Sequence, residues 1–599
     1  MAGLINSVLI KFSLDGKWKE IIKDFNFNPL PSSVNVRADV DRYYSELKYR
    51  TNDAFAFESP RLYDKLFTMN RVYNVNWSLT RSLKLDYSAN TNARIVEPFG
   101  ELNTEEKRDS VKQSFYNFGT MSKYNQTTSL TYALPFNKIK ILNWISASTR
   151  YSANYAWDQA PPASDFLGNT IQNSQVISVN GQLNFVNLYN KSDKLRDLTR
   201  GSRRRPNPAD TSSKKKKENK IGNSLIKSLL MLKNASLTYS KNRGTMLPGF
   251  APSIDFFGQN FKRDQPGWEF IFGSQNPELR YNLANENGLS NDPRQFNYYT
   301  QTVTESYNGK ITVQPFKDFR INFDFKKQEG FNYRSQFRYD TVDNFDGFRD
   351  IGVISTKTYS VSYIFWRTAF TKDKPNNESP VFNQFENNRF VSAKRLQNQD
   401  DRVVNGIIDP TTNFPLGYTS TSQEVLLPSF LAAYTGKNSA NQDLSAFPKV
   451  PLPSWNVNYN GIGKMDRFKD LFSNFTLRHA YSGTYTVGGI QNNLQYDPTA
   501  SPIQGESFET QDRITQATII EALSPLLGID ATFKNGWNIK TEYKQSRNVN
   551  FFISAFSVTE TKSSEFVPLK LWPVKSTVIV SVTVPTFWMF SLTDVALKA

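Results

Sequence analysis

The sequence predicts an all-β fold, part of an antiparallel transmembrane β-barrel with long loops and a few short helices. Apolar and polar residues alternate along extended stretches, which is the period of a strand with two different faces. Short turns alternate with long polar loops, as they do in outer-membrane barrels. Only 38% of the residues are hydrophobic although 14% are aromatic. This composition argues against a bundle of apolar membrane helices and fits strands that are apolar on one face only.

The first strand is predicted at 33–41, where Val and Ala alternate with charged and amide residues. Its polar face carries Arg37, Asp39 and Asp41. Paired carboxylates also occur in catalytic sites, but the polar wall of a barrel lumen explains them without catalysis. We therefore expect these three side chains to face the lumen.

The stretch 145–157 shows the clearest alternation, with Arg150 and Asn154 on its polar face. We expect these two side chains to face the lumen as well. At roughly 3.3 Å per residue the strand is about 40 Å long, and with a tilt of roughly 40° it spans an apolar band of about 25 Å. Strands of soluble proteins usually have about 5–6 residues, so this length favours a membrane barrel over a soluble sandwich.

Further strands follow the same period, and we expect about a dozen to sixteen in all. The pair Asn535-Gly536, flanked by alternating hydrophobic residues, is typical of a hairpin turn. The link Thr80-Arg81-Ser82 forms a second tight turn. The other predicted strands are 73–79, 83–89, 179–185, 321–325, 359–365, 529–533 and 537–543.

The connections and the two ends divide the chain into segments. The stretch 367–453 is too long for a turn, and we expect short helices in it around Phe390–Leu396 and Val425–Tyr434. The last segment loses the alternation of the preceding strands, which a shifted reading frame would explain. The predicted segments are 1–22, leading into the barrel; 23–566, the barrel portion, with loops at 190–233 and 367–453; and 567–599, an atypical tail.

A basic run lies within 190–233 and contributes to the net charge of 72 − 55 = +17. It contains Arg203-Arg204-Arg205 and Lys214–Lys217. Binding of nucleic acid or of anionic lipid is one interpretation of such a run. No aromatic residue is interleaved with the charges, which favours a solvated loop and no nucleic-acid partner. Alternation of short and long connections predicts that this loop is periplasmic.

Residue types that commonly carry chemistry are scarce. The chain has no Cys and a single histidine, His479, so a disulfide framework and a thiolate metal site are excluded. His479 shares its strand face with Phe475, Leu477 and Tyr481, which predicts a packed or interface-facing ring. Gly-rich phosphate loops, a G-x-S-x-G elbow, H-E-x-x-H and EF-hand spacing are absent. We expect no enzyme activity, and no catalytic, cofactor-binding or metal-binding residues.

Long stretches of the chain resemble the C-terminal portion of the SprA/Sov family, the outer-membrane translocon of the type IX secretion system in Bacteroidota. The resemblance extends from about residue 15 to 566 and is far longer than a short motif. The stretches that carry it include KDFNFNPLPSSVNVRADVDRYYSE (23–46), FTMNRVYNVNWSLTRSLKLDYSANTNARI (67–95), LPGFAPSIDFFG (247–258), FPKVPLPSWNVNYNG (447–461), FTLRHAYSGTYTVG (475–488) and LSPLLGIDATFKNGWNIKTEYK (523–544).

The resemblance implies one very large barrel with a protein-sized lumen that exports folded cargo carrying C-terminal signals. It also implies support of gliding motility, and as partners outer-membrane lipid, a PorV-type shuttle barrel, a periplasmic plug protein and the secreted cargo. The family offers no catalytic residues. Its members are longer and begin with a signal peptide, so we expect this chain to be a portion of a longer precursor.

Two other functions are compatible with the alternation alone. A passive porin or nutrient-receptor barrel would show the same strands, although a receptor would need a plug domain. A soluble β-rich adhesin or binding module would have shorter strands. Only the family resemblance separates the translocon from the porin.

Overall fold

The part of the chain that the structure describes forms one sheet of sixteen strands. The computed structural model describes residues 27–49, 61–192, 230–342, 345–376 and 378–573, with side chains up to 567. The strands are β1 Ser33–Leu47, β2 Leu62–Trp77, β3 Leu83–Arg94, β4 Thr120–Leu134, β5 Ile145–Asp158, β6 Asn169–Asn184, β7 Leu232–Phe250, β8 Tyr299–Phe316, β9 Phe319–Asp340, β10 Gly347–Ser362, β11 Ser454–Tyr459, β12 Phe472–Asn492, β13 Asp512–Arg513, β14 Gln516–Phe533, β15 Trp537–Phe552 and β16 Ser557–Pro573.

Strands that follow one another in sequence lie side by side in the sheet. The order runs from β1 to β10 and then through β12, β14, β15 and β16. The short strand β11 pairs with β9 and β12, and β13 pairs with β12. The pairings are antiparallel, as sequential strands joined by turns and loops must be. The predicted all-β, antiparallel fold class is confirmed.

Most strands are far longer than those of soluble proteins. β9 has 22 residues and β12 has 21, against a usual length of about 5–6. The predicted hairpins are present: β2 pairs with β3 around residues 78–82, and β14 pairs with β15 around 534–536. β16 extends to Pro573, past the point at which the sequence alternation ends.

Helices lie in the connections between strands. The two longest in 367–453 include both stretches predicted as helical. None of the described helices has the length and apolarity needed to cross a membrane. The helices are α1 Glu105–Tyr116, α2 Phe185–Tyr189, α3 Trp268–Ile271, α4 Leu279–Asn285, α5 Trp366–Ala369, α6 Pro380–Gln397 and α7 Gln423–Thr435.

Three sequence predictions fall wholly or mainly outside the described residues. They concern the segment 1–22, the basic run within 190–233, and the tail 567–599 beyond Pro573. Their assignments therefore stay predictions.

The chain divides into two compact units, and strands β6 to β10 contribute residues to both. The first unit comprises Met1–Val179, Lys241–Val303 and Arg334–Val353. Its core forms where the loop 251–298 packs on the upper parts of the strands; the Tyr155 hydroxyl, for example, donates to the Gly258 carbonyl at 3.0 Å. Tyr155 and Phe270 are almost fully buried there.

The second unit comprises Asn180–Ser240, Thr304–Tyr333 and Ile354–Ala599. Its core lies between the sheet and helices α6 and α7. Eleven of the thirteen residues of α7 are buried, because the helix packs against strand side chains such as Tyr485, Ile519 and Phe551.

Candidate functional site

One face of the second unit's sheet carries a continuous apolar band. In one row, Phe319 lies opposite Tyr459, Tyr459 opposite Leu477, and Leu477 opposite Ile529. Facing residues on neighbouring strands have Cβ atoms about 4.5–5.5 Å apart, so the row has no gap. A second row above it holds Ile321, Val457 and His479.

A cluster of aromatic rings forms the upper edge of this band. The Trp455 and Tyr481 rings stack with centroids 4.4 Å apart. Trp366 lies 5.7 Å from Trp455 and 6.1 Å from His479. Aromatic rings with a polar atom favour the boundary between an apolar layer and water.

The lower edge, beside the short turns, carries Phe residues. Phe316 stacks on Phe319 at 4.7 Å, and Phe472 lies 4.7 Å from Phe533. From Phe472 to Tyr481 along β12 the band measures about 30 Å, or about 23 Å in height at a tilt of roughly 40°. That height matches the apolar belt of an outer-membrane barrel, about 25 Å.

His479 takes the packed position that the sequence predicts. Its ring contacts Trp366 and Trp455, and Nδ1 lies 2.7 Å from the Leu526 carbonyl oxygen. Among the described residues no group of His, Asp and Glu side chains is arranged to hold a metal ion. His479 therefore belongs to the aromatic edge of the band.

The opposite face of the same strands is polar. Asn458 pairs with both Arg320 and Arg478, and a groove of about 370 Å³ opens beside Asn458 and Thr476. The Arg478 guanidinium donates to Glu542 at 2.6 Å. Amide, hydroxyl and paired charged groups at this density are typical of a surface in contact with water.

The first unit carries the five residues predicted to face the lumen, and it places all of them on the polar face of their strands. The Arg37 Nε lies 2.8 Å from an Asp39 carboxylate oxygen. Arg37 and Asp41 are exposed to solvent, and Asp39 is partly exposed. Arg150 donates to Ser129 at 3.1 Å. Asn154 donates to Ser174 at 3.0 Å and accepts from Thr127 at 2.8 Å.

Asn and Ser side chains link neighbouring strands along this polar face, which the sequence analysis did not foresee. Ser88 donates to Asn74 at 2.8 Å, and Asn92 donates to Asn70 at 2.7 Å. The alternation places such residues on one face, but the register that brings each pair together follows only from strand pairing.

Above the apolar band of the second unit, helices cover the same strand face that the band occupies below. A buried ion pair lies beneath them: Arg547 bonds Glu521 at 2.8 Å, and both side chains are nearly inaccessible to solvent. Arg547 also donates to the Thr368 carbonyl at 2.9 Å, and the Tyr481 hydroxyl donates to Glu521 at 2.7 Å. The pair therefore joins the sheet to α5, where Thr368 lies.

The loop between α6 and α7 contains a second charged cluster, outside the strands. Hydrogen bonding from Arg402 lowers the pKa of Asp400 to about 2, and the Tyr418 hydroxyl donates to the same carboxylate at 2.7 Å. Burial raises the pKa of Glu424 nearby. These groups hold the loop together.

Comparison with known proteins gives solved structures only; no protein-family model and no curated protein sequence matches the chain. The chain is similar to the ferric-catecholate import receptor Fiu from E. coli K12, at 10% identity and a TM-score of 0.24, over 90% of this chain and 66% of that one. It is also similar to CdiB from Acinetobacter baumannii, at 7% identity and a TM-score of 0.16, over 88% of this chain and 59% of that one. A third similar structure is the alcaligin outer-membrane receptor FauA from Bordetella pertussis, at 8% identity and a TM-score of 0.18, over 91% of this chain and 71% of that one.

The chain thus spans about two thirds of the length of these proteins. They are outer-membrane β-barrel proteins. TM-scores of 0.16 to 0.24 are too low to support an argument about the function of this chain.

Proposed function

We propose that the described strands form part of the wall of a large outer-membrane barrel, and that this barrel is the protein-conducting channel of a type IX secretion system. It exports folded cargo with C-terminal signals and supports gliding motility. The observation that carries the membrane assignment is the apolar band of about 23 Å with aromatic edges, opposite a polar strand face. The resemblance to the SprA/Sov family supports the protein-conducting role.

The edges of the sheet support a larger barrel. Among the described residues, β1 pairs only with β2 and β16 only with β15. An unpaired strand edge inside a bilayer costs several kcal/mol for each unsatisfied backbone group. We therefore infer that further strands complete the ring.

The polar face supports passage of hydrated cargo and requires no chemistry. Short Asn, Ser and Thr side chains, many hydrogen-bonded to each other, present a smooth hydrated surface to whatever passes. In this proposal the channel is not an enzyme and holds no cofactor. Its partners are outer-membrane lipid, a PorV-type shuttle barrel, a periplasmic plug protein and the cargo itself, with no nucleic acid.

The function is tested by depleting the full-length gene in the source organism and quantifying secreted proteins in the periplasm and in the medium. We expect cargo with C-terminal signals to accumulate in the periplasm and to disappear from the medium. Unchanged secretion together with lost uptake of small solutes would establish the alternative, a passive porin or nutrient receptor.

The two faces are tested separately with cysteine variants, since the chain has no Cys of its own. Arg150→Cys lies on the polar face of β5 and its neighbour Thr149→Cys on the other face. In intact outer membranes a water-soluble maleimide should label position 150 and spare position 149. Cross-linking of stalled cargo to position 150 and not to position 149 would show that cargo passes along the polar face. Equal maleimide labelling of the two positions would contradict the assignment of the faces.

A further inference from the structure

A groove on the apolar strand face of the first unit contains a buried arginine without an acidic partner. The groove, of about 470 Å³, is formed by β1 to β4 and the loop residues 254–257. Val36, Tyr73 and Ala89 supply much of its apolar wall. Arg71 lines the groove as well, and only 7% of the residue is exposed.

The Arg71 guanidinium has no hydrogen bond and no ion pair with any residue that the structure describes. Its Cζ lies 5.1 Å from the centroid of the Phe118 ring, which covers one side. Asp255 also lines the groove, but its carboxylate accepts the Phe261 N–H at 3.2 Å. The Tyr87 and Tyr124 hydroxyls are bonded to each other at 3.2 Å.

A cation this far removed from water is destabilised unless it has an anionic or hydrogen-bonding partner. The walls around Arg71 are apolar, so the missing partner is an anion attached to an apolar body. A free inorganic anion would leave the apolar wall uncovered, and a neutral chain would leave the charge unpaired.

The height of the groove indicates where such a molecule comes from. Thr91 lies opposite Arg71, and eight residues separate it from Leu83 at the start of β3. That distance is about 26 Å along the strand, or about 20 Å in height at a tilt of roughly 40°. Arg71 therefore lies near the edge of the apolar belt on the side of the long loops. Phe256 and Phe257, exposed at the rim, are residues suited to that boundary.

We propose that this groove binds a phosphate-headed membrane lipid, with its phosphate on Arg71 and an acyl chain along the apolar wall. Arginine pairs with phosphate through two parallel N–H donors, and each CH₂ group that the acyl chain buries against the apolar wall adds to the affinity. The proposal rests on the membrane location proposed above, and it holds whether the barrel conducts proteins or small solutes.

The proposal is tested on the intact protein purified in a non-ionic detergent, with phosphatidic acid carrying a photoactivatable acyl chain. We expect the cross-link to map to the groove, to peptides containing Val36, Tyr73 or Phe257. Diacylglycerol with the same chains should label at least tenfold less, and millimolar inorganic phosphate should not compete. Equal labelling by diacylglycerol would overturn the role of Arg71, and competition by inorganic phosphate would show a site for the free anion.

Variants separate the charge from the fold. Arg71→Gln should lower labelling about tenfold, and Arg71→Lys should restore part of it. Val36→Glu places a carboxylate at the exposed rim, where Val36 is 64% exposed, and should also lower labelling. The control Arg150→Gln removes an arginine from the opposite strand face and should leave the lipid labelling unchanged. Unchanged labelling in both Arg71→Gln and Val36→Glu would overturn the proposal, whatever the outcome of the secretion experiment.

Discussion

Charge placed on the two faces of β12 should have opposite consequences. Leu477 belongs to the apolar band, and its neighbour Thr476 lies on the polar face opposite Asp530. Leu477→Arg puts a guanidinium into the lipid-facing layer, and Thr476→Arg puts the same group on the polar wall. The two variants share the strand, the depth in the membrane and the introduced residue. A difference in stability between them therefore reports on the strand face alone.

The structure sets the expected magnitude. Leu477 lies five residues from Phe472 at the lower edge and four from Tyr481 at the upper edge, so it is about 16 Å along the strand and about 13 Å in height above that lower edge. That is near the middle of the belt, where an arginine on the lipid face costs about 2–4 kcal/mol. Thr476→Arg should stay within about 0.5 kcal/mol of the original protein.

The assay is denaturant unfolding of the intact protein folded into phospholipid vesicles, with the level of folded protein in outer membranes as a second readout. We expect the unfolding midpoint to fall strongly for Leu477→Arg and barely for Thr476→Arg. Equal losses in the two variants, or a larger loss for Thr476→Arg, would refute the assignment of the apolar band to lipid.

Three further predictions concern regions outside the band. Arg547→Met leaves the Glu521 carboxylate buried without its arginine and should lower the free energy of unfolding by about 3–5 kcal/mol. Adding Glu521→Leu should recover part of that stability. A double variant no more stable than the single one would contradict this account. Gly258 has φ near 78° and faces the Tyr155 ring, so Gly258→Ala should add a steric cost of about 1–3 kcal/mol to the strain of that backbone angle. Limited proteolysis should therefore cut the loop 251–298 faster in Gly258→Ala than in the original protein. The control Gly267→Ala, where φ is near 98° and nothing lies within 4 Å, should not show this faster cleavage. Because the pKa of Asp400 is lowered to about 2, the ionised carboxylate stabilises the folded loop above the unfolded pKa of about 4, and this stabilisation is lost as the pH falls towards 2. Asp400→Asn should lower the stability by about 1 kcal/mol at neutral pH. Hydrogen exchange of 398–422 should show this pH-dependent protection in the original protein and not in the variant.

Much of the strand layout could be predicted because side-chain direction in a strand has a period of two. That period alone assigned Arg37 and Asn154 to the polar face, and His479 to the apolar one. The hairpin at Asn535-Gly536 was predicted from turn chemistry.

Contacts between distant residues could not be predicted in the same way. Arg547 bonds a carbonyl 179 residues away in sequence, and no local pattern specifies such a partner. Arg71 sits in an alternating strand as an exception to its apolar neighbours. Phe118 and the loop 254–257, both distant from Arg71 in sequence, enclose its side chain in the folded chain.

The sequence by itself determined that the chain forms long two-faced strands, because alternation is a local property that each strand carries independently of its neighbours. Only the tertiary structure decided how each face is used along its length. The apolar face of the second unit is bare in one part and covered by α6 and α7 in another, although the alternation is the same in both. Coverage depends on where the long connections fold back and on the register that aligns neighbouring strands, and both are set by contacts between residues far apart in the chain.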